Sequence, residues 1–188
     1  RVTVAQHERA LVWKNRSFVR VLKPGVYWIF EPFARIEVHV YDLMVPEFEH
    51  ARVDFLVKEA REAIDQHFQV IELKDREIGL VFRNGHLVSI LAPGKRQLYW
   101  RGPVEIRVEV RDISDVFEID AATARLVARA KGALGTAAAE AVSAVEVPDG
   151  SLGLLVVDGG LKRVFEPGLH AFWRFQRTLK VEMVDLRL

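Results

Sequence analysis

The chain has 188 residues, of which 50% are hydrophobic and 28% are charged, a composition typical of a folded globular protein and not of a disordered one. Its 27 basic and 26 acidic residues nearly cancel and no basic run exceeds two residues, which argues against nucleic acid as a partner. The absence of cysteine excludes a disulfide framework, a thiolate nucleophile and a cysteine-ligated zinc site.

Residues 1–48 predict a first β module. Apolar residues mark five short antiparallel strands at 1–4, 10–14, 18–22, 26–30 and 36–40, and the last alternates with period two, so one of its faces is buried. Asn15-Arg16 lies at a two-residue hairpin loop, and because Arg16 stands where glycine is preferred, we expect a looser turn there. Pro24-Gly25 predicts a type II turn with the glycine at positive φ.

A helical spacer follows at residues 49–69. Helical periodicity predicts a helix over residues 50–67, because six residues fall on one face while the charged residues lie mostly elsewhere. The residues of that face are Val53, Leu56, Ala60, Ala63, Ile64 and His67.

Residues 70–118 repeat the pattern as a second β module, with Asn84-Gly85 at its hairpin loop and Pro93-Gly94 at the next turn. The spacer 119–141 predicts a helix over 121–130 that Asp120 caps. Gly132 and Gly135 interrupt the pattern beyond it, and the alanine-rich run 137–141 fits a helix or a linker equally well.

Residues 142–188 form the third predicted module. The segments 10–26, 79–95 and 153–169 align without a gap, each with a hairpin loop followed by Pro-Gly. The sequence therefore predicts an α+β fold, a tandem array of three small and mainly antiparallel β modules with helical spacers. Arrays of this kind more often build surfaces than active sites, and modules this small are expected to share buried surface.

No residue pattern favours catalysis. Asp42, Asp112 and Asp185 occupy one position in three modules, so we interpret them as strand-ending residues that bond turn amides. The six histidines lack metal-ligand spacing, no serine has the context of a nucleophile elbow, and Asp158-Gly159-Gly160 fits a hairpin better than a phosphate cradle. We therefore predict no enzyme, no cofactor and no catalytic or metal-binding residue.

Aromatic residues cluster near the fourth strand of each module. The stretch 26–30 is apolar on both strand faces, so both are buried or one contacts lipid or a partner. Tryptophan and tyrosine beside arginine suit a bilayer interface, whereas packing between small modules is the alternative. The candidate contact residues are Trp28, Phe30, Phe33, Tyr99, Trp100, Phe172, Trp173 and Phe175.

The third module reads VEVPDGSLGLLVVDGGLKRVFEPGLHAFWRFQRTLKVEMVDLRL from Val145. This pattern resembles the start of the SPFH domain of stomatins, prohibitins and flotillins, although that family usually has proline where this chain has Gln176-Arg177. The matching residues are Val147, Gly153, Leu154, Leu155, Gly159, Arg163, Pro167, Gly168, Leu169, His170, Trp173, Val181, Val184, Asp185, Leu186 and Arg187. The whole chain is most similar to the N-terminal part of a bacterial slipin, a stomatin-like protein.

The resemblance implies a non-enzymatic, oligomer-forming scaffold that organises membrane patches or regulates membrane proteases or channels. Its expected partners are a membrane surface, further copies of itself and client proteins, at the cytoplasmic face of a membrane such as the bacterial inner membrane. No apolar run approaches the roughly 20 residues that span a bilayer. Because the sequence starts at Arg1 without methionine and ends within a strand pattern, we expect a fragment of a longer protein. The alternative is a soluble docking module that recruits clients through its sheet edges.

Overall fold

The computed structural model describes residues 1–114, 118–175 and 177–187. Strands make up 50% of the chain and helices 18%, and the strands form several small antiparallel sheets. The chain divides into two compact units, which we call unit 1 (Arg1–Glu72 with Arg96–Ile106) and unit 2 (Leu73–Lys95 with Arg107–Leu188). The boundaries between these units fall inside the second predicted module, so the division into three modules stays a prediction.

The strands are short, and most of them lie near the predicted positions. They are β1 (Val2–Val4), β2 (Glu8–Lys14), β3 (Ser17–Leu22), β4 (Gly25–Tyr27), β5 (Ile36–Asp42), β6 (Glu47–Phe48), β7 (Phe68–Glu72), β8 (Glu77–Arg83), β9 (His86–Leu91), β10 (Arg96–Trp100), β11 (Ile106–Asp112), β12 (Val142–Val147), β13 (Ser151–Val157), β14 (Gly160–Phe165), β15 (Gly168–Trp173) and β16 (Leu179–Asp185). The helices are α1 (Val53–Glu59), α2 (Arg61–His67), α3 (Ala121–Arg129), α4 (Lys131–Leu134) and α5 (Thr136–Ala141).

The sheet topology repeats one hairpin arrangement. Unit 1 contains the sheets β3-β2-β5, β1-β4 and β6-β10-β7, and unit 2 contains β14-β13-β16, β12-β15 and the strands of β11-β8-β9. The hairpins β2–β3, β8–β9 and β13–β14 each shift register once, after Val12, Val81 and Leu155 respectively. These three residues occupy the same position in the aligned repeats, which shows that similar sequence produces similar local geometry.

The predicted hairpin loops have the same tight geometry in all three places. Asn84-Gly85 and Asp158-Gly159 have positive φ at both residues, as a two-residue loop between twisted strands requires. Asn15 and Arg16 do so too, with φ of 50° and 69°. The expectation of a looser turn at Arg16 is therefore wrong, because pairing of Lys14 with Ser17 holds the arginine in the left-handed region.

The helix predicted over residues 50–67 is present as α1 and α2, which meet at Ala60. Ala60 has φ −117° and ψ 38°, outside the helical region, yet its amide still bonds to the Leu56 carbonyl and its carbonyl to the Ile64 amide. Leu56 and Ile64 are buried on the predicted face. Periodicity did not reveal the break, because both short helices present the same face to the core.

The second spacer contains three short helices. Asp120 caps α3 as predicted, since its Oδ1 accepts a hydrogen bond of 2.9 Å from the Thr123 amide. Gly135, with φ 56°, separates α4 from α5, whereas Gly132 lies inside α4. The run 137–141, left undecided by the sequence, lies in α5.

Among the described residues, each unit has two hydrophobic clusters. In unit 1, Trp13, Phe48, Phe68 and Trp100 form an aromatic core with Leu56 and its neighbours, and a smaller core surrounds Val4 and Val12. In unit 2, α3–α5 pack with β8 and β9 around Leu80 and Val127, and a second core surrounds Leu155 and Phe172. Burial of this apolar surface is the main stabilising contribution.

Candidate aromatic contact surface

The segment after β4 exposes three large aromatic side chains. Trp28, Phe30 and Phe33 keep 79%, 87% and 100% of their surface exposed. We call residues 28–33 the aromatic loop. Exposed apolar surface of this size in one short segment is unusual for a soluble domain, which makes the aromatic loop a candidate interaction site.

The strand before the aromatic loop ends earlier than predicted. The fourth strand was expected to run from Val26 to Phe30, but β4 ends at Tyr27, where its pairing with β1 ends at Val2. The next residue, Trp28, therefore lies outside the sheet and carries no ladder hydrogen bonds. A loop without a partner strand is free to project side chains away from the core.

Alternating orientation explains why Trp28 and Phe30 point outward together. Ile29 lies between them and packs against the small core of unit 1 with Val2 and Val38. The loop is further held by an ion pair between Glu31 and Lys14 on β2. These contacts anchor the backbone of the loop while its aromatic side chains remain available for a partner.

Four of the other predicted contact residues are buried. Tyr99, Trp100, Phe172 and Trp173 expose between 1% and 4% of their surface, so their role is packing and they are removed from the candidate surface. Burial, with a contribution from Glu47, raises the pKa of Tyr99 to about 12, so its phenol stays neutral. Phe175 is half-buried and packs against the core that contains Trp173.

The buried aromatics differ from the aromatic loop in what covers them. In unit 1, β10 carries Tyr99 and Trp100 and pairs with β7 on one edge and β6 on the other. In unit 2, β15 carries Phe172 and Trp173 and pairs along its length with β12. In the first repeat, β1 pairs with Gly25–Tyr27, and Trp28 and Phe30 lie beyond this pairing.

The three aspartates have the structural role that the repeats predict. Asp42 Oδ1 accepts a hydrogen bond of 2.8 Å from the Met44 amide, Asp112 one of 2.7 Å from Ser114, and Asp185 one of 2.9 Å from Arg187. Each carboxylate thus closes a turn two residues on at the end of its strand. Hydrogen bonding to Ser114 lowers the pKa of Asp112.

Among the described residues, no group of three or more histidine, aspartate or glutamate side chains is placed to hold a metal ion. His39 and His50 lie edge to face with 6.0 Å between ring centroids, yet His50 directs Nδ1 to a backbone amide. None of the described helices has the length and apolar character needed to cross a bilayer.

Sequence reasoning missed one feature of unit 2. A groove of about 640 Å³ lies between α3 and β15, lined on the helix side mainly by alanines. A local signal of this groove was present in the sequence, because the small residues Ala121, Ala124 and Ala128 lie on one face of the predicted helix. The contribution of Leu169 and His170 depends on tertiary packing and had no local signature.

No protein-family model, no curated protein and no solved structure matches the chain. The resemblance to the SPFH domain therefore stays a prediction carried by its motifs alone.

Proposed function

We propose that the chain associates with a membrane surface through the aromatic loop and serves as a non-enzymatic scaffold of the stomatin-like kind. The observation that carries this proposal is the exposure of Trp28, Phe30 and Phe33 from a loop whose backbone is anchored. Indole and phenyl rings gain free energy in the interfacial region of a bilayer, and the indole N–H stays hydrated there.

The charge distribution makes this association mainly apolar. The formal net charge is +1, so attraction to anionic lipid contributes little. Near the loop, Lys14 is neutralised by Glu31 and Arg35 pairs with Glu37 at 2.9 Å. Binding to vesicles is therefore expected with neutral lipid as well as anionic lipid, and is expected to survive high salt.

Vesicle flotation of the chain tests the proposal. The triple variant Trp28→Ser, Phe30→Ser, Phe33→Ser should lose at least about tenfold in partitioning, because each ring contributes on the order of 1 kcal/mol or more when buried. The matched control is Leu161→Ser, which removes an apolar side chain that is 61% exposed on β14. Equal flotation of the triple variant and the control would rule out the aromatic loop as the attachment site.

A second candidate function is protein docking at the same loop. It is favoured by the strands β10 and β15, whose aromatics are covered by other strands and helices of the chain. A partner supplying a strand and a helix would cover Trp28 and Phe30 in the same way. Failure of the folded chain to float with any vesicle would favour this docking function over membrane association.

A further inference from the structure

A groove of about 640 Å³ in unit 2 has the features of a peptide-binding site. One wall is α3, with Ala121, Ala124 and Ala128, and the other is the edge of β15 at Leu169 and Ala171. The small helix side chains leave room next to the strand, and Leu169 is 74% exposed in that space. The groove lies far along the chain from the aromatic loop and does not depend on membrane association.

The edge of β15 in this groove is only partly paired. β12 covers the opposite edge along all of β15, whereas among the described residues the groove edge receives one backbone hydrogen bond, of 2.8 Å, from the Ile119 amide to the Ala171 carbonyl. Glu118 lies opposite Phe172, and the chain then turns away into α3. Because peptide groups alternate in direction along an antiparallel strand, those of Leu169 face the same edge as Ala171. No strand of the described residues pairs with them.

The corresponding place in unit 1 is closed. There β6 pairs with β10, with Phe48 opposite Leu98, and the chain continues into α1. Asp54 on α1 reaches Arg96 on β10 at 2.7 Å, which joins the helix directly to the strand. The short strand, the helix and the ion pair together occupy the space beside β10.

Unit 2 lacks this closing pair. Ala124 lies as far beyond the residue that pairs with β15 as Asp54 lies beyond the residue that pairs with β10. In the aligned repeats, His170 occupies the position of Arg96. Alanine has no group that can reach the strand. The open groove of unit 2 thus coincides with the replacement of the ion pair by Ala124 and His170.

Among the described charged side chains that line the groove, that of Arg125 can bind an incoming group. Glu118 bonds to Arg163 at 2.6 Å and lies 3.6 Å from His170, and Asp120 is committed to the cap of α3. Arg125 also lines the groove, and within the described part of the chain it makes no ion pair. An arginine in this position favours an incoming carboxylate.

We propose that this groove binds an extended segment of a partner protein, which adds as a strand to the edge of β15. The segment places small or apolar side chains against Ala124, Ala128 and Leu169 and directs an acidic side chain to Arg125. Main-chain hydrogen bonds supply affinity in this mode, and the helix wall and the arginine supply specificity.

Titration by nuclear magnetic resonance tests the proposal. The probes are blocked hexapeptides of alternating threonine and leucine with a single glutamate moved through every position, so that each register is sampled. Saturable shifts are expected at Leu169, Ala171 and the residues of α3 for at least one peptide. Replacing its glutamate by glutamine should weaken binding by about tenfold. N-methylation of one of the two alternating sets of peptide amides, the set that faces β15, should abolish binding.

Paired variants locate the site. Arg125→Gln should weaken binding about as much as the glutamine peptide does, while Arg129→Gln on the same helix should leave it unchanged. Ala128→Trp should fill the groove and block binding, with Ala122→Trp, an exposed position outside the groove, as its control. The thermal midpoint of each variant reports whether it is folded.

Two results would overturn the proposal. One is the absence of saturable shifts with every peptide of the set. The other is binding that persists after N-methylation of either set of alternating amides, or in folded Arg125→Gln and Ala128→Trp variants, which would indicate an apolar small-molecule pocket or a different surface.

Discussion

The imidazole of His50 accepts, at Nδ1, a hydrogen bond of 3.0 Å from the backbone amide of Arg52, the residue that precedes α1. The ring is parallel to Trp13 and Phe48, with centroids 5.1 Å and 6.0 Å away. An Nδ1 atom that accepts must be unprotonated, so the proton of the neutral ring is on Nε2. Burial, with added repulsion from His39 and Arg52, lowers the pKa of His50 below its usual 6.5.

This contact predicts that acid destabilises unit 1. The pKa of His67 is lowered as well, by burial and by Lys23 and Arg9. Between the lowered folded value and 6.5 the unfolded chain binds more protons, so stability is fully present above pH 6.5 and is lost as the pH falls through the folded value. Urea unfolding at a series of pH values measures the slope.

The double variant His50→Asn, His67→Gln is the control for that slope. Asparagine keeps an oxygen acceptor for the Arg52 amide but does not titrate. The variant should be less dependent on pH between neutral and mildly acidic solution than the unaltered chain. An undiminished slope would assign the acid sensitivity to other groups.

Arg16→Gly is expected to stabilise the chain. Arg16 has φ 69°, a conformation that costs a side-chain-bearing residue roughly 1 kcal/mol and that glycine adopts freely. After the extra unfolded-state entropy of glycine, a net gain of about 0.5 kcal/mol remains. The Arg16 carbonyl, which accepts from the Arg52 guanidinium at 3.1 Å, is unaffected.

Arg16→Ala provides the comparison, since it removes the side chain but keeps the strain. Thermal unfolding of the two variants should rank glycine above alanine. If alanine stabilised as much as glycine, the side chain and not the backbone would be the source of the effect.

Gly153→Ala is expected to destabilise unit 2. A Cβ at this position on β13 would lie 2.8 Å from Cγ2 of Val147 and 3.3 Å from Cγ1 of Val181, both in the same core. Overpacking of this kind costs about 1–3 kcal/mol. Chemical denaturation measures the loss.

The matched substitution is Gly132→Ala in α4, where a Cβ would meet nothing within 4 Å. Alanine is the better helix former, so this variant should gain about 0.5–1 kcal/mol. Opposite signs for the two variants would confirm the crowding at β13. A neutral Gly153→Ala would mean that Val147 moves aside at no cost.

Trp28 should dominate the solvent-accessible fluorescence of the chain. The sequence has four tryptophans, and Trp13, Trp100 and Trp173 expose between 1% and 4% of their surface. Acrylamide should therefore quench mainly Trp28, and Trp28→Phe should leave emission that is blue-shifted and resistant to quenching. Strong quenching of that variant would show that a second indole is open to solvent.

Local chemistry made much of the fold predictable. The cap at Asp120 depends on residues within three positions, and Asp42 and Asp185 bond amides two residues away, so their roles follow from sequence. The buried face of α1 and α2 follows from periodicity, since Leu56 and Ile64 are buried as expected.

Long-range pairing accounts for what was missed. β4 ends at Tyr27 because β1 has only three residues to pair with it. The sequence of residues 26–30 does not indicate this limit. The burial of Trp173 depends on α3–α5, whose packing is tertiary. The small residues of α3 were a local signal of the groove, but its strand wall at Leu169 and His170 depends on tertiary packing, which a single sequence does not specify.

The interleaving of the two units constrains how the chain is made and cut. The polypeptide passes between them after residues 72, 95 and 106. During synthesis, β7 therefore cannot pair with β10 until the intervening β8–β9 hairpin has been made. In the same way, β8 cannot pair with β11 until β10 has been made. A single proteolytic cut after residue 95 divides both units, because it separates β7 from β10 and β8 from β11, whereas a cut after residue 72 or 106 divides one unit and leaves the other joined to a segment of its neighbour.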